Sequence, residues 1–196
     1  MRIKIFVLLC LTAIMQFTGV TPLKASHYYY KQLSLKDGVT SAVRCILTDK
    51  QGFVWIGTKA GISRYDGHEL KKYVYSPNNP HSIPNNLIHQ IAEDEMSNIW
   101  ILTDKGIARY QRQSDDFFLP TDEKGNPIIA YSTCLTKDGV LFGSKDKVYF
   151  YSYRDSSLRL LQKLNKGNNF NISLLSLWNE HTVLCCSRWQ GLALLD

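Results

Sequence analysis

Residues 52–67 read GFVWIGTKAGISRYDG, and residues 98–112 read NIWILTDKGIARYQR. Laid 45 residues apart, Trp55 answers Trp100, Gly61 answers Gly106, Ile62 answers Ile107, and Arg64-Tyr65 answers Arg109-Tyr110. A fixed period of about 20–50 residues is the signature of a repeat architecture, whose units bury their apolar faces only against one another.

Working outward, the unit can be traced four times. The first, residues 41–75, contains SAVRCILTD (41–49), FVWIGT (53–58), ISRYDG (62–67) and ELKKYVY (69–75). The second, residues 87–119, runs LIHQIAED (87–94), NIWILT (98–103), IARYQ (107–111) and DDFFL (115–119). Asp49 and Asp94 close the first runs, where an Asp side chain can accept hydrogen bonds from the backbone of a turn. Gly61 and Gly106 open the third runs, where a turn calls for a residue that tolerates positive φ. The third unit, residues 128–164, is looser, with Leu141 in the tryptophan place and Tyr151 in the tyrosine place. The fourth, 172–196, offers ISLLSLWN (172–179), TVLCCS (182–187) and LALLD (192–196) and no fourth run. Short Val/Ile/Tyr/Trp-rich runs bounded by Gly and Asp predict strands, and no sustained helical stripe competes with them. Between the first two units, SPNNPHSIPNN (76–86) packs three prolines and four asparagines into a crossing loop. Four-stranded units of this length joined by crossings predict an all-β fold: a partial β-propeller of about four antiparallel four-stranded blades in an open arc, the last incomplete.

The N-terminus obeys a different logic. Arg2 and Lys4 precede the apolar run IFVLLCLTAIM (5–15) and a small-residue stretch near Ala25-Ser26, the order of a secretory signal over residues 1–25. An uncleaved anchor is the alternative. Residues 26–40 form an N-terminal strand region, in which YYYKQLS (28–34) could close a ring by adding a strand to its last blade. The leader carries three cations and no acid, so half of the formal charge of +6 belongs to it. The rest is too mild, and too free of Lys/Arg runs, to predict a nucleic-acid partner.

No catalytic constellation stands out, and the chain is not expected to be an enzyme in itself. His27, His68, His81, His89 and His181 lack paired ligand spacing, so no metal is expected. Asp122-Glu123-Lys124-Gly125-Asn126 lacks the alternating ligands of a calcium loop. Cys45, Cys134, Cys185 and Cys186 lack a framework spacing and read as buried free thiols. No cofactor is expected. Arg64-Tyr65 and Arg109-Tyr110 read first as blade packing and second as a ligand-lining face. Rim loops and the central channel of a propeller gather side chains from many blades, so a ligand is expected there, with Tyr and Trp suited to sugar rings.

The motif has a family likeness. Val43, Ile46 and Asp49, then Gly52, Val54-Trp55-Ile56-Gly57-Thr58, then Gly61-Ile62 and Arg64-Tyr65-Asp66 resemble the two-component regulator propeller repeat. The second copy departs at Leu102 and Gln111. The resemblance implies the periplasmic sensor region of a hybrid two-component receptor tuned to glycan breakdown products. Its partners would be a second propeller, a Tyr-rich sandwich, a membrane span and a histidine kinase, none of them within these residues. The alternative is a free secreted propeller acting as a carbohydrate-binding or scaffold protein. An open arc would also expose blade edges and faces through which the chain could self-associate.

Overall fold

The structure, a computed structural model, describes residues 32, 42–164 and 170–195. The expected leader lies outside the described residues, as does the strand region 26–40 with its ring-closing role, apart from Gln32. The strands all belong to one unit, Leu33–Asp196.

Four antiparallel sheets follow one another along the chain, each laid down strand beside strand. The first comprises β1 (Val43–Thr48), β2 (Val54–Thr58), β3 (Gly61–Tyr65) and β4 (Leu70–Tyr73). The second comprises β5 (Ile88–Glu93), β6 (Ile99–Thr103), β7 (Gly106–Gln111) and β8 (Asp116–Phe118). In the third are β9 (Ser132–Leu135), β10 (Gly139–Ser144), β11 (Lys147–Ser152) and β12 (Leu158–Lys163). The fourth has three strands among the described residues: β13 (Ile172–Leu177), β14 (Val183–Ser187) and β15 (Gly191–Leu195). No helix occurs among the described residues. The innermost strands β1, β5, β9 and β13 stand side by side in that order, which makes the sheets blades in an open series. The run 172–179 had been expected as one strand; β13 ends at Leu177, and Trp178 begins a turn closed by backbone bonds from Trp178 and Asn179 to the Thr182 carbonyl.

Strand register explains the recurring phrase. Trp55 pairs across the strands with Arg64, Trp100 with Arg109, Leu141 with Phe150 and Leu184 with Leu194. Side chains alternate across a strand, so one set of positions in each blade points to the next blade and the other to the previous one. Trp55 and Ile62 from the first blade share a cluster with Ile91, Ile99, Ile101, Ala108, Tyr110 and Phe117 from the second. Trp100, Leu102 and Ile107 do the same with Val140, Phe142, Tyr149 and Tyr151 from the third. Both tryptophans are wholly buried. Each meets the tyrosine of the following blade edge-on, at 4.8 Å and 66° for Trp55–Tyr110 and 4.8 Å and 65° for Trp100–Tyr151. That geometry adds about 0.5–1.5 kcal/mol to the burial itself.

At the third interface the aromatic and polar parts leave together. Leu141 holds the tryptophan place, Phe150 the arginine place and Leu195 the tyrosine place, and all three join one apolar cluster. Cys134 and Cys185 are buried in it as free thiols, Cys45 and Cys186 are half-buried, and burial pushes the Cys185 thiol up to about 11.

Two glycines of the phrase are dictated by space. A Cβ on Gly57 would sit 2.5 Å from Cys45 Sγ and 2.7 Å from Ile88 Cγ2, so the blades close up only where that side chain is missing. Gly61 has φ +114° and would place a Cβ 2.5 Å from the Tyr73 carbonyl oxygen. Gly106 opens β7 in the matching place.

Trp55→Ala and Trp100→Ala each remove the filler of one blade interface and are expected to cost about 3–5 kcal/mol, with the Phe variants losing visibly less. Urea denaturation of the full chain, following loss of near-UV tryptophan dichroism, measures both series.

Candidate functional site

One rim of the blades carries the turns between first and second strands and those between third and fourth. Asp49 and Asp94 lie on it. Asp49 Oδ1 accepts the backbone N–H of Gln51 (3.0 Å) and of Phe53 (2.9 Å), which caps the turn. Its Oδ2 accepts the Trp55 indole N–H at 3.0 Å, so the same carboxylate also holds the interface tryptophan. Asp94 repeats the arrangement with the Asn98 N–H at 2.8 Å and the Trp100 indole at 2.8 Å. The third blade has Thr136 in this place, with Leu141 offering no N–H to hold.

A residue two beyond each tyrosine reaches back to the preceding blade. Arg112 Nη2 lies 3.1 Å from Asp49 Oδ2 and 3.7 Å from Glu93 Oε1, and its Nη1 donates to Gln51 Oε1 at 2.8 Å. Burial raises the Asp49 carboxyl pKa, but the Trp55, Phe53 and Arg112 donors outweigh it and hold the group below its ordinary value. Tyr153 takes the same place in the third blade. Its buried hydroxyl is turned toward the Asp94 carboxylate and the Glu95 backbone, just outside full hydrogen-bond geometry. Burial first, and the Asp94 charge second, push this phenol upward, so it stays a neutral donor.

The Arg-Tyr pairs link blades. Arg64 Nη1 donates to the Tyr110 hydroxyl and sits 3.2 Å from Asp115 Oδ1, with its guanidinium 4.9 Å over the Phe53 ring. Asp115 also accepts from Lys71, from Tyr110 and, at 2.6 Å, from the Tyr73 hydroxyl. Arg109 Nη1 donates to the Tyr151 hydroxyl at 2.7 Å, and its plane lies 5.1 Å over Phe118. Tyr65, first in the series, turns its hydroxyl to the Gly67 carbonyl at 2.5 Å. Arg112 ends the second copy with Gly67 as its counterpart, and Asp115 and Tyr153 lie outside the repeated phrase, so the repeat itself singles out none of them.

Two open recesses mark the rim. One, of about 480 Å³, lies between the first two blades and is bordered by Gln51, Met96, Arg109 and Arg112. The other, of about 510 Å³, lies between the third and fourth blades, where Leu177, Trp178, Asn179, Glu180 and His181 face Lys137 and Asp138. Trp178 is 69% exposed, with an ion pair of 3.1 Å between Lys137 and Glu180 beside it. It stands in the turn position held by Asp49 and Asp94, the signal by which the sequence could have revealed it. Elsewhere, His89 Nε2 meets Asp104 Oδ1 at 2.5 Å, and among the described residues no three His, Cys, Asp or Glu side chains gather as metal ligands. No helix among the described residues is long and apolar enough to cross a membrane.

Comparisons with known proteins agree with this architecture. A family model described as two component regulator propeller matches residues 37–60. Histidine kinase P4 of Formosa agariphila is 37% identical over 59 residues, which is 30% of this chain and 4% of the kinase. The extracellular domain of a protein described as a hybrid two-component system of B. thetaiotaomicron superposes with a TM-score of 0.62 at 22% identity, over 84% of this chain and 21% of its own length. Virginiamycin B lyase from Staphylococcus aureus also superposes, with a TM-score of 0.50 and 14% identity over 79% of this chain and 55% of the lyase. The chain thus spans a small part of the signalling proteins it resembles. The lyase shows that the propeller fold alone does not fix an activity.

Asp115 provides a pH test of the interface. Burial pushes its carboxyl up, yet Lys71, Tyr110, Tyr73 and Arg64 together bring it down to about 2. A depressed folded-state pKa stabilises above the unfolded value of about 3.9 and is lost as pH falls through the folded value. Between about pH 4 and pH 2 the parent chain is therefore expected to lose thermal stability through this group, whereas Asp115→Asn, less stable at neutral pH, is expected to show a flatter acid titration over that window.

Proposed function

We propose that this chain is the N-terminal periplasmic propeller of a hybrid two-component receptor, which binds a glycan-derived ligand and signals to a kinase in later domains of the same receptor. The observation that carries the ligand reading is Trp178. A large aromatic face stands exposed in a rim recess, with carboxylate, amide, imidazole and ammonium groups around it. An aromatic face takes the C–H side of a sugar ring while polar neighbours take its hydroxyls. The family match and the superposition on the extracellular domain of a hybrid two-component system support the receptor context.

The fourth blade supports the idea of partners within the same receptor. Leu174, Leu192 and Leu194 are exposed on its outer side, the side through which each earlier blade packs on its successor. A further blade of the receptor would cover that face, and a second copy of the chain is the alternative cover.

Titrating the full chain with an array of glycan-lyase and glycoside-hydrolase digests, read by tryptophan fluorescence and calorimetry, is expected to find a digest that binds. Trp178→Ala should weaken that binding at least tenfold with the fold intact. Unchanged affinity in Trp178→Ala, or no binding across the array, overturns the ligand reading. A sequence beyond residue 196 that encodes no membrane span and no kinase overturns the receptor reading.

A further inference from the structure

The first two blade interfaces are built on one plan, and among their differences one concerns the partner of the arginine. At the first, Arg64 has a carboxylate in reach, that of Asp115, shared with Lys71. Asp115 lies five residues after Tyr110 and has φ +55°. Ser156 lies five residues after Tyr151 and has φ +54°. The flanking register agrees, since Tyr110 pairs with Phe117 and Tyr151 with Leu158, so Ser156 holds the Asp115 place in the next blade. Lys71, opposite Arg64, is replaced by Phe118, opposite Arg109. Acid and second cation leave together, while the arginine stays.

Arg109 is consequently left with no carboxylate among the described residues. Its one hydrogen bond there is from Nη1 to Tyr151, whereas a guanidinium carries five N–H donors in a planar fork. Its Cζ lies 5.1 Å from the Phe118 ring centroid, a contact that engages none of the remaining donors. A recess of about 230 Å³ opens at this point, lined by Met96, Asn98, Arg109, Tyr151, Tyr153 and Ser156. The Tyr153 hydroxyl is buried behind it, turned toward Asp94 and Glu95. Of the carboxylates around the recess, Asp94 is already engaged by the Trp100 indole and by Asn98, Asp155 in the Ser156 turn is engaged by Ser157, and Glu95 bears on the Tyr153 hydroxyl.

We infer that the recess at Arg109 is a binding site for a carboxylate carried by the ligand, an acidic sugar, which supplies from outside the group that Asp115 supplies from within at the preceding interface. Arg109 would bind the carboxylate through its unengaged N–H groups, and the exposed Ser156 hydroxyl would donate to it. The site lies on the same rim as Trp178, so the inference rests on the sensor reading and adds the charge of the ligand to it.

The test uses the full chain, with glucuronate, glucose and sulfate as probes in calorimetry. Glucuronate is expected to bind at least tenfold more tightly than glucose, as one charge-assisted contact implies. Ser156→Asp restores the internal acid and is expected to raise the melting temperature while losing at least tenfold in glucuronate affinity. The reciprocal variant, Asp115→Ser, is expected to gain thermal stability from added acetate beyond any gain in the parent chain. Equal affinity for glucuronate and glucose, competition by sulfate at equal concentration, or undiminished glucuronate binding in Ser156→Asp overturns the assignment. Should a digest bind through Trp178 while glucuronate does not bind, the sensor reading stands and this inference alone falls.

Discussion

A four-stranded blade has two apolar faces and no means of covering either by itself. That constraint decides nearly everything else in this chain. Trp55 and Trp100 exist to fill the space between one blade and the next, and the surrounding chemistry exists to hold them there. Each indole N–H needs an acceptor once buried, and Asp49 and Asp94 supply it from the turn that starts the same strand. Each ring needs an edge to meet, and the next blade's tyrosine provides it. The tyrosine hydroxyl then needs a partner of its own, found in the arginine one strand over from the tryptophan. A single packing requirement thus propagates into four residue types at fixed spacing, which is the phrase seen twice in the sequence.

The third interface supports this account by omission. With Leu141 in place of tryptophan there is no indole to satisfy, and the acid, the arginine and the tyrosine are all absent, replaced by Thr136, Phe150 and Leu195. Leaving any one of them would strand a polar group in an apolar cluster at a cost of about 1–3 kcal/mol. The set is kept or discarded whole, which is why the looser third and fourth copies are still blades.

The fold was legible because period and strand length are properties of short stretches. Trp55, Gly57, Gly61, Arg64 and their counterparts carry the pattern in contiguous sequence, and the meander places each strand beside the one before it. Far less of the rim could be read. Arg112 reaches back 63 positions to Asp49, and Asp115 reaches 51 to Arg64, distances at which a single sequence gives no signal of contact. Nor did Trp178 declare itself, because the leucine-rich run before it reads as a strand that continues through it, whereas the chain turns there.

A repeat nevertheless carries its own control. Every blade must solve the same packing problem, so a residue that matches its counterparts is explained by packing, and one that departs without a compensating change calls for another cause. The third interface departs with compensation throughout. Ser156 departs together with the second cation, whose place Phe118 takes, yet leaves Arg109 charged and with donors to spare. Trp178 departs by exchanging a turn-capping acid for an exposed aromatic ring. Both exceptions fall on one rim, where the loops are free of the duty to pack. Function in such a fold is written in the places where the repeat is broken and the breach is left open to solvent.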